Sequence, residues 1–234
     1  MGLFVLCDTH LSMGLDKPMD VFGGRWNGYE EKLRERWNKT VSEGDTVVVG
    51  GDISWAMMIK DTKDDLAFIN GLNGRKIFVR GNHDYWWESL KKMSAFFSEN
   101  GFDTISVLQN DSYLCGDIAV CGTRGWFSDR RMAPKDTDYD KISVREAQRL
   151  EMSLDHAARN YPDAIPVVFL HLPPVFGGEV CEPIARVLTE RGVQRCYYGH
   201  IHGAYDIPSS ETVDGVKYTI ASSDYLNFTP LRVD

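Results

Sequence analysis

The sequence has no long hydrophobic run. Its first apolar stretch, Leu3 to Cys7, is broken at once by Asp8, whereas a secretory signal needs roughly 7 to 15 apolar residues and a bilayer span ~20. Leu6 stands where an N-myristoylation signal requires Ser or Thr. A soluble, unanchored chain is expected. Paired cysteine motifs are missing as well. Cys7, Cys115, Cys121, Cys181 and Cys196 form an odd set without CxxC spacing, mostly in apolar segments where a reduced thiol behaves as a small hydrophobe. Such usage fits a reducing, cytoplasmic compartment. Positive charge is also scarce. The 26 Lys and Arg face 34 Asp and Glu, for a net charge of -8, which repels polyanions at long range, so neither a membrane nor nucleic acid is an expected partner. Internal repeats and low-complexity tracts are absent. What is present is apolar material, 43% of 234 residues with 12% aromatic. That is enough for one sizeable core, and residues 1–234 read as a single domain because α/β units run to roughly 200 to 250 residues.

Leu3–Cys7 and Thr46–Gly50 have the length and β-branched content of buried strands. Between them Tyr29, Leu33, Trp37 and Val41 recur every four residues among charged ones, the stripe of an amphipathic helix. The alternation continues with a helix over 61–72, a strand over 76–80 and a helix over 86–97, which predicts a parallel sheet. Short strands follow at 104–108, 112–114 and 118–121. Residues 122–141 show no period and form a candidate lid loop. Beyond them come a helix over 143–159, with Ser143 and Glu146 at capping-box spacing, a strand over 166–170, a helix over 179–191, and strands over 195–198 and 216–221.

The strand-like runs end in polar residues of one chemical kind: Asp8-Thr9-His10, Gly51-Asp52, Gly81-Asn82-His83-Asp84, His171, and Gly199-His200-Ile201-His202. In open α/β sheets the carboxyl ends of strands line one crevice, so residues far apart in sequence converge there. Asp52 and Asn82 are separated by about one β-α-β crossover, which makes them neighbours. Carboxylate, imidazole and amide donors without thiolate suit manganese, iron or zinc, and six or seven donors suit two ions better than one.

The ordered set Asp-x-His, Gly-Asp, Gly-Asn-His-Asp, His and Gly-His-x-His resembles the calcineurin-like metallophosphoesterase superfamily. Gly51-Asp52-Ile53-Ser54-Trp55 and Arg80-Gly81-Asn82-His83-Asp84-Tyr85-Trp86-Trp87 are similar to a bacterial branch of predicted phosphohydrolases. The resemblance implies an α/β fold, a four-layer α/β/β/α sandwich with two facing mixed sheets. It also implies two divalent or trivalent transition-metal ions (Mn, Fe or Zn): the first held by Asp8, His10, Asp52 and His202, the second by Asp52, Asn82, His171 and His200, with Asp52 bridging. Such a pair lowers the pKa of a shared water, and the resulting metal-bridged hydroxide would attack a phosphate monoester or diester. His83 is then the catalytic residue beside the leaving group rather than a ligand.

One position departs from the pattern. Many relatives carry Asp or Glu three residues after the bridging aspartate, where it orients the histidine of the Asn-His block; here Trp55 stands there, leaving Asp84 or a backbone carbonyl to orient His83. Asn82 and Arg124 are the candidate substrate-binding residues, Arg124 because glycines on either side permit close approach. Trp86 and Trp87 either wall a pocket or pack a helix, Arg130 and Arg131 read as solvated, and His156 reads as a packing histidine. The substrate class expected is a small phosphorylated molecule. A nucleotide or lipid-linked pyrophosphatase is the alternative, and it calls for a longer pocket with basic or apolar lining. A catalytically silent scaffold is remote, because every ligand position carries a competent side chain.

Overall fold

The computed structural model describes residues 1–15, 17 and 19–233. In chain order the elements are β1 (Leu3–Leu6), α1 (Tyr29–Thr40), β2 (Thr46–Gly50), α2 (Lys63–Asn70), β3 (Arg75–Val79), α3 (Leu90–Asn100), β4 (Ile105–Val107), β5 (Tyr113–Cys115), β6 (Ile118–Thr123), α4 (Tyr139–Asn160), β7 (Ile165–Leu170), β8 (Val175–Phe176), β9 (Glu179–Val180), α5 (Glu182–Glu190), β10 (Arg195–Tyr198), β11 (Ser210–Val213), β12 (Val216–Ile220) and β13 (Leu231–Arg232). Among the described residues no helix is long and apolar enough to cross a membrane.

Apart from the small hairpin β8–β9, the described strands form two mixed sheets. One has the order β13-β1-β2-β3-β4, parallel except for β13; the other runs β11-β12-β10-β7-β6-β5, parallel except for β11 and β5 at its edges. Side-chain alternation explains the layering. Phe4, Leu6, Val47, Val49 and Phe78 point to one face, against Tyr29, Leu33 and Trp37 of α1 and Leu66 and Ile69 of α2. Leu3, Val5, Val48, Ile77 and Val79 point to the other face and meet Val120, Val167, Phe169 and Tyr197 of the second sheet. The remaining alternates of that sheet, Cys121, Val168, Leu170 and Cys196, pack on Leu150 and Leu154 of α4 and Ile184 and Leu188 of α5. Three apolar interfaces separate four layers, the expected α/β/β/α sandwich. All five cysteines are buried and free.

Several elements differ from the sequence expectation. The helix expected from Trp86 begins at Leu90, because Trp86 turns inward and its indole N–H donates to Asp84 Oδ1 at 3.1 Å. The helix expected from Ser143 begins at Tyr139, capped by Asp138, whose carboxylate accepts the Lys141 N–H at 3.0 Å. Ser143 and Glu146 therefore form no capping box; both are buried inside α4. The helix expected from Glu179 begins at Glu182, with Pro183 in its first turn, after the unforeseen hairpin β8–β9. β11 and β13 were also unforeseen. Residues 122–141 start as the last part of β6 and include one 3-10 turn, Arg130–Met132; Arg130 pairs with Asp140, and Arg131 with Asp129 and Glu179.

Lys76 is fully buried on the helix-facing side of β3. Its Nζ donates to the carbonyls of Asn70 and Leu72, at the open end of α2, and to the Thr104 hydroxyl. Burial pushes its pKa down to about 8, from an ordinary value of 10.5. The folded chain thus holds fewer protons than the unfolded one between those values, and stability rises with pH across that window. Urea unfolding of the wild type and Lys76→Met at pH 8 and pH 10 checks this: the wild type is expected to gain relative to the variant as pH rises, and an unchanged difference would refute it.

Candidate metal centre

The crevice residues stand at the exits of β1, β2, β3, β7 and β10, and the backbone there is unusual. Asp8, His10, Asp52 and His200 all adopt left-handed φ, at 61°, 43°, 50° and 69°, a conformation costing non-glycine residues about 1–3 kcal/mol each. The ladder beyond β1 and β2 holds them there: Asp8 N–H donates to Gly51 O and His10 N–H to Asp52 O, both at 2.9 Å. The loops after β2 and β3 are joined through Asp84. Its carboxylate accepts N–H groups from Asp52 (3.0 Å), Ile53 (2.8 Å) and Gly81 (2.7 Å). Burial first, then the charge of Asp52, pushes the Asp84 pKa up to about 6. The loops touch so closely that a Cβ on Gly51 would lie 2.7 Å from the Gly81 backbone, and one on Gly81 would run into Asp52.

The side chains gather into two groups. Asp8, His10 and His202 form one, and Asp52, His171 and His200 the other, with one ligand atom of each within 4.8 Å of the others in its group. Asn82 joins the second group through Oδ1, 2.7 Å from His171 Nε2. Asp52 lies between the groups, its Oδ2 at 3.4 Å from His171 Nε2 and 3.8 Å from His10 Nε2.

Two observations show that these atoms suit cations. Asp8 Oδ1 is buried and has no hydrogen-bond donor among the described residues, although His171 Nδ1 and His202 Nε2 each approach to 3.7 Å. His10 Nε2 and His202 Nε2 face each other at 3.3 Å, an approach of two lone pairs unless a proton or metal ion lies between them. Burial pushes His10 and His200 down to about 3, favouring the neutral, ligating form. His171 behaves oppositely. Burial opposes its protonation, but Asp52, Asp8 and Asp84 outweigh it and raise its pKa to about 9. The carboxylates thus create a strong local demand for positive charge in an anionic chain.

Second partners orient the imidazoles. His171 Nδ1 donates to Gly50 O at 3.1 Å, which turns Nε2 toward Asp52 and Asn82. His202 Nδ1 donates to Asp224 Oδ1 at 2.9 Å, which turns Nε2 toward Asp8. Asp224 also accepts from Gly203 N–H and the Tyr205 hydroxyl. It was not foreseen; the only sequence signal was a polar triplet, Ser222-Ser223-Asp224, at another strand end.

His83 is half-buried, and its N–H donates to Asp52 Oδ1 at 2.7 Å. Its ring shares a cavity of about 330 Å3 with His10, Asp52, His200 and His202, walled by Met19, Phe22, Trp26 and Trp55. Asp84 does not orient it, being engaged with backbone. Instead the Trp55 ring lies 4.9 Å from the His83 ring, and the Tyr85 hydroxyl lies 3.4 Å from Nδ1. Trp55 also stacks on His10 at 4.8 Å and 21°. Arg124 does not line this cavity; its side chain turns to Glu146, 3.6 Å away, while its carbonyl accepts the N–H of His171. Trp86 packs in the core, and His156 Nδ1 accepts from Ser112 N–H.

Comparison with known proteins agrees with this architecture. The sequence pattern of the calcineurin-like phosphoesterase family matches residues 1–204, and the chain belongs to that family. None of the curated proteins matches the chain. Among solved structures, the fold is shared with TT1561 of Thermus thermophilus (11% identity, TM-score 0.62, covering 99% of this chain and 97% of that one). It is also shared with the phosphopantetheinyl hydrolase PptH of Mycobacterium tuberculosis (14% identity, TM-score 0.54, 99% and 95%). A third is AQ665, a protein of unknown function from Aquifex aeolicus (15% identity, TM-score 0.52, 99% and 95%).

Asp224 supplies the test of this arrangement. Outer partners of ligating histidines typically contribute 10–100-fold in metal affinity, so Asp224→Asn is expected to weaken binding of one manganese ion by about that factor and leave the other unchanged. Calorimetric titration with manganese checks it, and two unaltered sites would remove the role assigned to Asp224.

Proposed function

We propose that this calcineurin-like phosphoesterase hydrolyses a phosphate monoester or diester of a small molecule, with water as nucleophile and His83 as general acid. The observation that carries the proposal is the pair of adjoining donor groups with Asp52 between them and His83 beside them on one cavity. Asp8, His10, Asp52 and His202 would hold one transition-metal ion, and Asp52, Asn82, His171 and His200 the other; manganese, iron and zinc all suit the mixed nitrogen and oxygen set. When bound, two such ions lower the pKa of water and neutralise charge on phosphoryl oxygens.

The chain's own groups supply the rest. The carboxylate of Asp52 is needed between the groups because an amide there would leave both cations undercompensated. The hydrogen bond from His83 N–H to Asp52 Oδ1 ties the acid's backbone to the centre, so its imidazole is presented to the same cavity as the donors. There it donates a proton to the departing oxygen. Trp55, in place of an orienting carboxylate, holds the His83 ring by contact, and among the described residues neither ring nitrogen has an anionic hydrogen-bond partner.

A second reading within the same chemistry, a nucleotide or lipid-linked pyrophosphatase, is favoured by one feature: Met19, Phe22, Trp26 and Trp55 give the cavity an apolar wall suited to a base, ring or acyl group.

Two variants test the proposal on one preparation each. Asp52→Asn is expected to lose metal and activity together. His83→Ala is expected to keep two ions per chain and lose roughly 10²- to 10⁴-fold in turnover, more on alkyl than on nitrophenyl esters, since a phenolate leaves without a proton. Metal analysis beside turnover decides: loss of metal from His83→Ala makes the residue structural, and equal losses on both esters remove it as the acid.

A further inference from the structure

One strand further along the crevice lies a second opening, of about 140 Å3, between the ends of β3, β4 and β6 and the flank of α4. Arg80, Trp87, Gln109, Asn110, Arg124 and Arg149 line it. Three guanidinium groups border it, with two carboxylates beside them. The first, that of Glu88, lies 3.0 Å from Lys92. Glu146, wholly buried in α4, holds the arginines in place: it accepts from Arg149 at 2.8 Å and from the Thr123 hydroxyl at 2.8 Å, and lies 3.6 Å from Arg124. Arg80 is exposed and has no ion pair among the described residues. Among the described residues Arg124 Nε, which is buried, has no acceptor.

A buried guanidinium N–H without an acceptor costs stability, and Arg124 is held at that cost between Glu146 and the Trp126 ring, 5.1 Å away. An oxyanion in the opening would accept from the accessible guanidinium groups of Arg80 and Arg149 by paired hydrogen bonds, with the charge of Arg124 in the wall behind them. Trp87 adds a flat face, while Gln109 and Asn110 add polar groups at the rim.

We propose that this opening is an oxyanion subsite, which takes a second phosphoryl or carboxylate group of the same substrate whose phosphate ester is cleaved at the metal centre. The substrate reading rests on the proposed phosphoesterase function, and shared backbone supports it. Arg80 stands two residues before Asn82, Trp87 belongs to the loop that carries His83, and the Arg124 carbonyl accepts the N–H of His171 at 3.1 Å and of Leu172 at 2.9 Å. An anion held here is fixed by the same loops that position the centre. The substrate class is therefore one with two separated anionic groups, such as a bisphosphorylated nucleoside, rather than a lone monoester.

The test has a binding arm and a kinetic arm. Inorganic phosphate titrated calorimetrically into manganese-loaded protein is expected to fill two sites, and only one in Arg149→Gln or Arg80→Gln, both replaced at solvent-accessible side chains. Asp52→Asn is expected to keep the arginine site although it loses metal, so this arm reads out even if the phosphoesterase reading fails. In the kinetic arm, the ratio of kcat/KM for adenosine 3′,5′-bisphosphate to that for adenosine 5′-monophosphate is expected to fall about 10- to 100-fold in Arg149→Gln, the worth of hydrogen bonds to a charged group. A single phosphate site in every protein, or a site insensitive to both arginine variants, overturns the subsite. Two sites with an unchanged kinetic ratio overturn its role in substrate binding and leave a site for a free anion.

Discussion

The carboxylate of Asp84 gathers N–H groups from two different strand exits, Asp52 and Ile53 after β2 and Gly81 after β3, together with the indole of Trp86. It ties the two loops to each other, while the backbone ladder from the loop after β1 holds the loop after β2 from its other side. Asp52 stands at left-handed φ, Gly81 sits where a side chain would collide with it, and the His83 N–H reaches Asp52 Oδ1 only when both loops are in register. The energy stored in these conformations is offset by hydrogen bonds to a buried carboxylate, where a charged acceptor is at its strongest. A residue that no candidate mechanism uses directly therefore sets the geometry of those that one would use.

Charge is handled just as locally. The chain as a whole is anionic, yet it concentrates carboxylates around His171 and arginines around a neighbouring opening. The first arrangement attracts cations and the second attracts anions. Net charge governs long-range encounter, but it says little about a crevice whose local field is set by three or four buried groups.

Much of this was legible in the sequence, for identifiable reasons. Strands such as Thr46–Gly50 and Arg195–Tyr198 were read at their observed bounds, because short apolar runs flanked by turn signals leave little freedom. The polar residues at their ends were legible because parallel sheets bring strand exits together whatever lies between. What escaped depends on contacts the pattern does not carry. Asp224 partners a histidine 22 positions away, and the polar triplet Ser222-Ser223-Asp224 is too common a pattern to mark it. Ser143 and Glu146 have the spacing of a cap, but tertiary contacts with Thr123 and Arg149 decided the role of Glu146 and let the helix start earlier. Arg124 was noticed for its flanking glycines, yet its side chain faces the second opening rather than the metal cavity, since Glu146 turns it there. Two-residue strands such as β8, β9 and β13 are too short to show any period.

The two sheets contribute to the crevice unequally in time. Asp8, His10, Asp52, Asn82 and His83 follow strands of the first sheet, whereas His171, His200 and His202 follow strands of the second, and β13 returns at the very end to pair with β1. During synthesis the early residues leave the ribosome as an acid-rich half-crevice, with Asp8 and Asp52 facing no imidazole from the other sheet. At about 5–20 residues per second, that half waits several seconds for its complement. The nascent chain thus has a period in which its strained early backbone is without the support of the second sheet, and strands made later are those that close it.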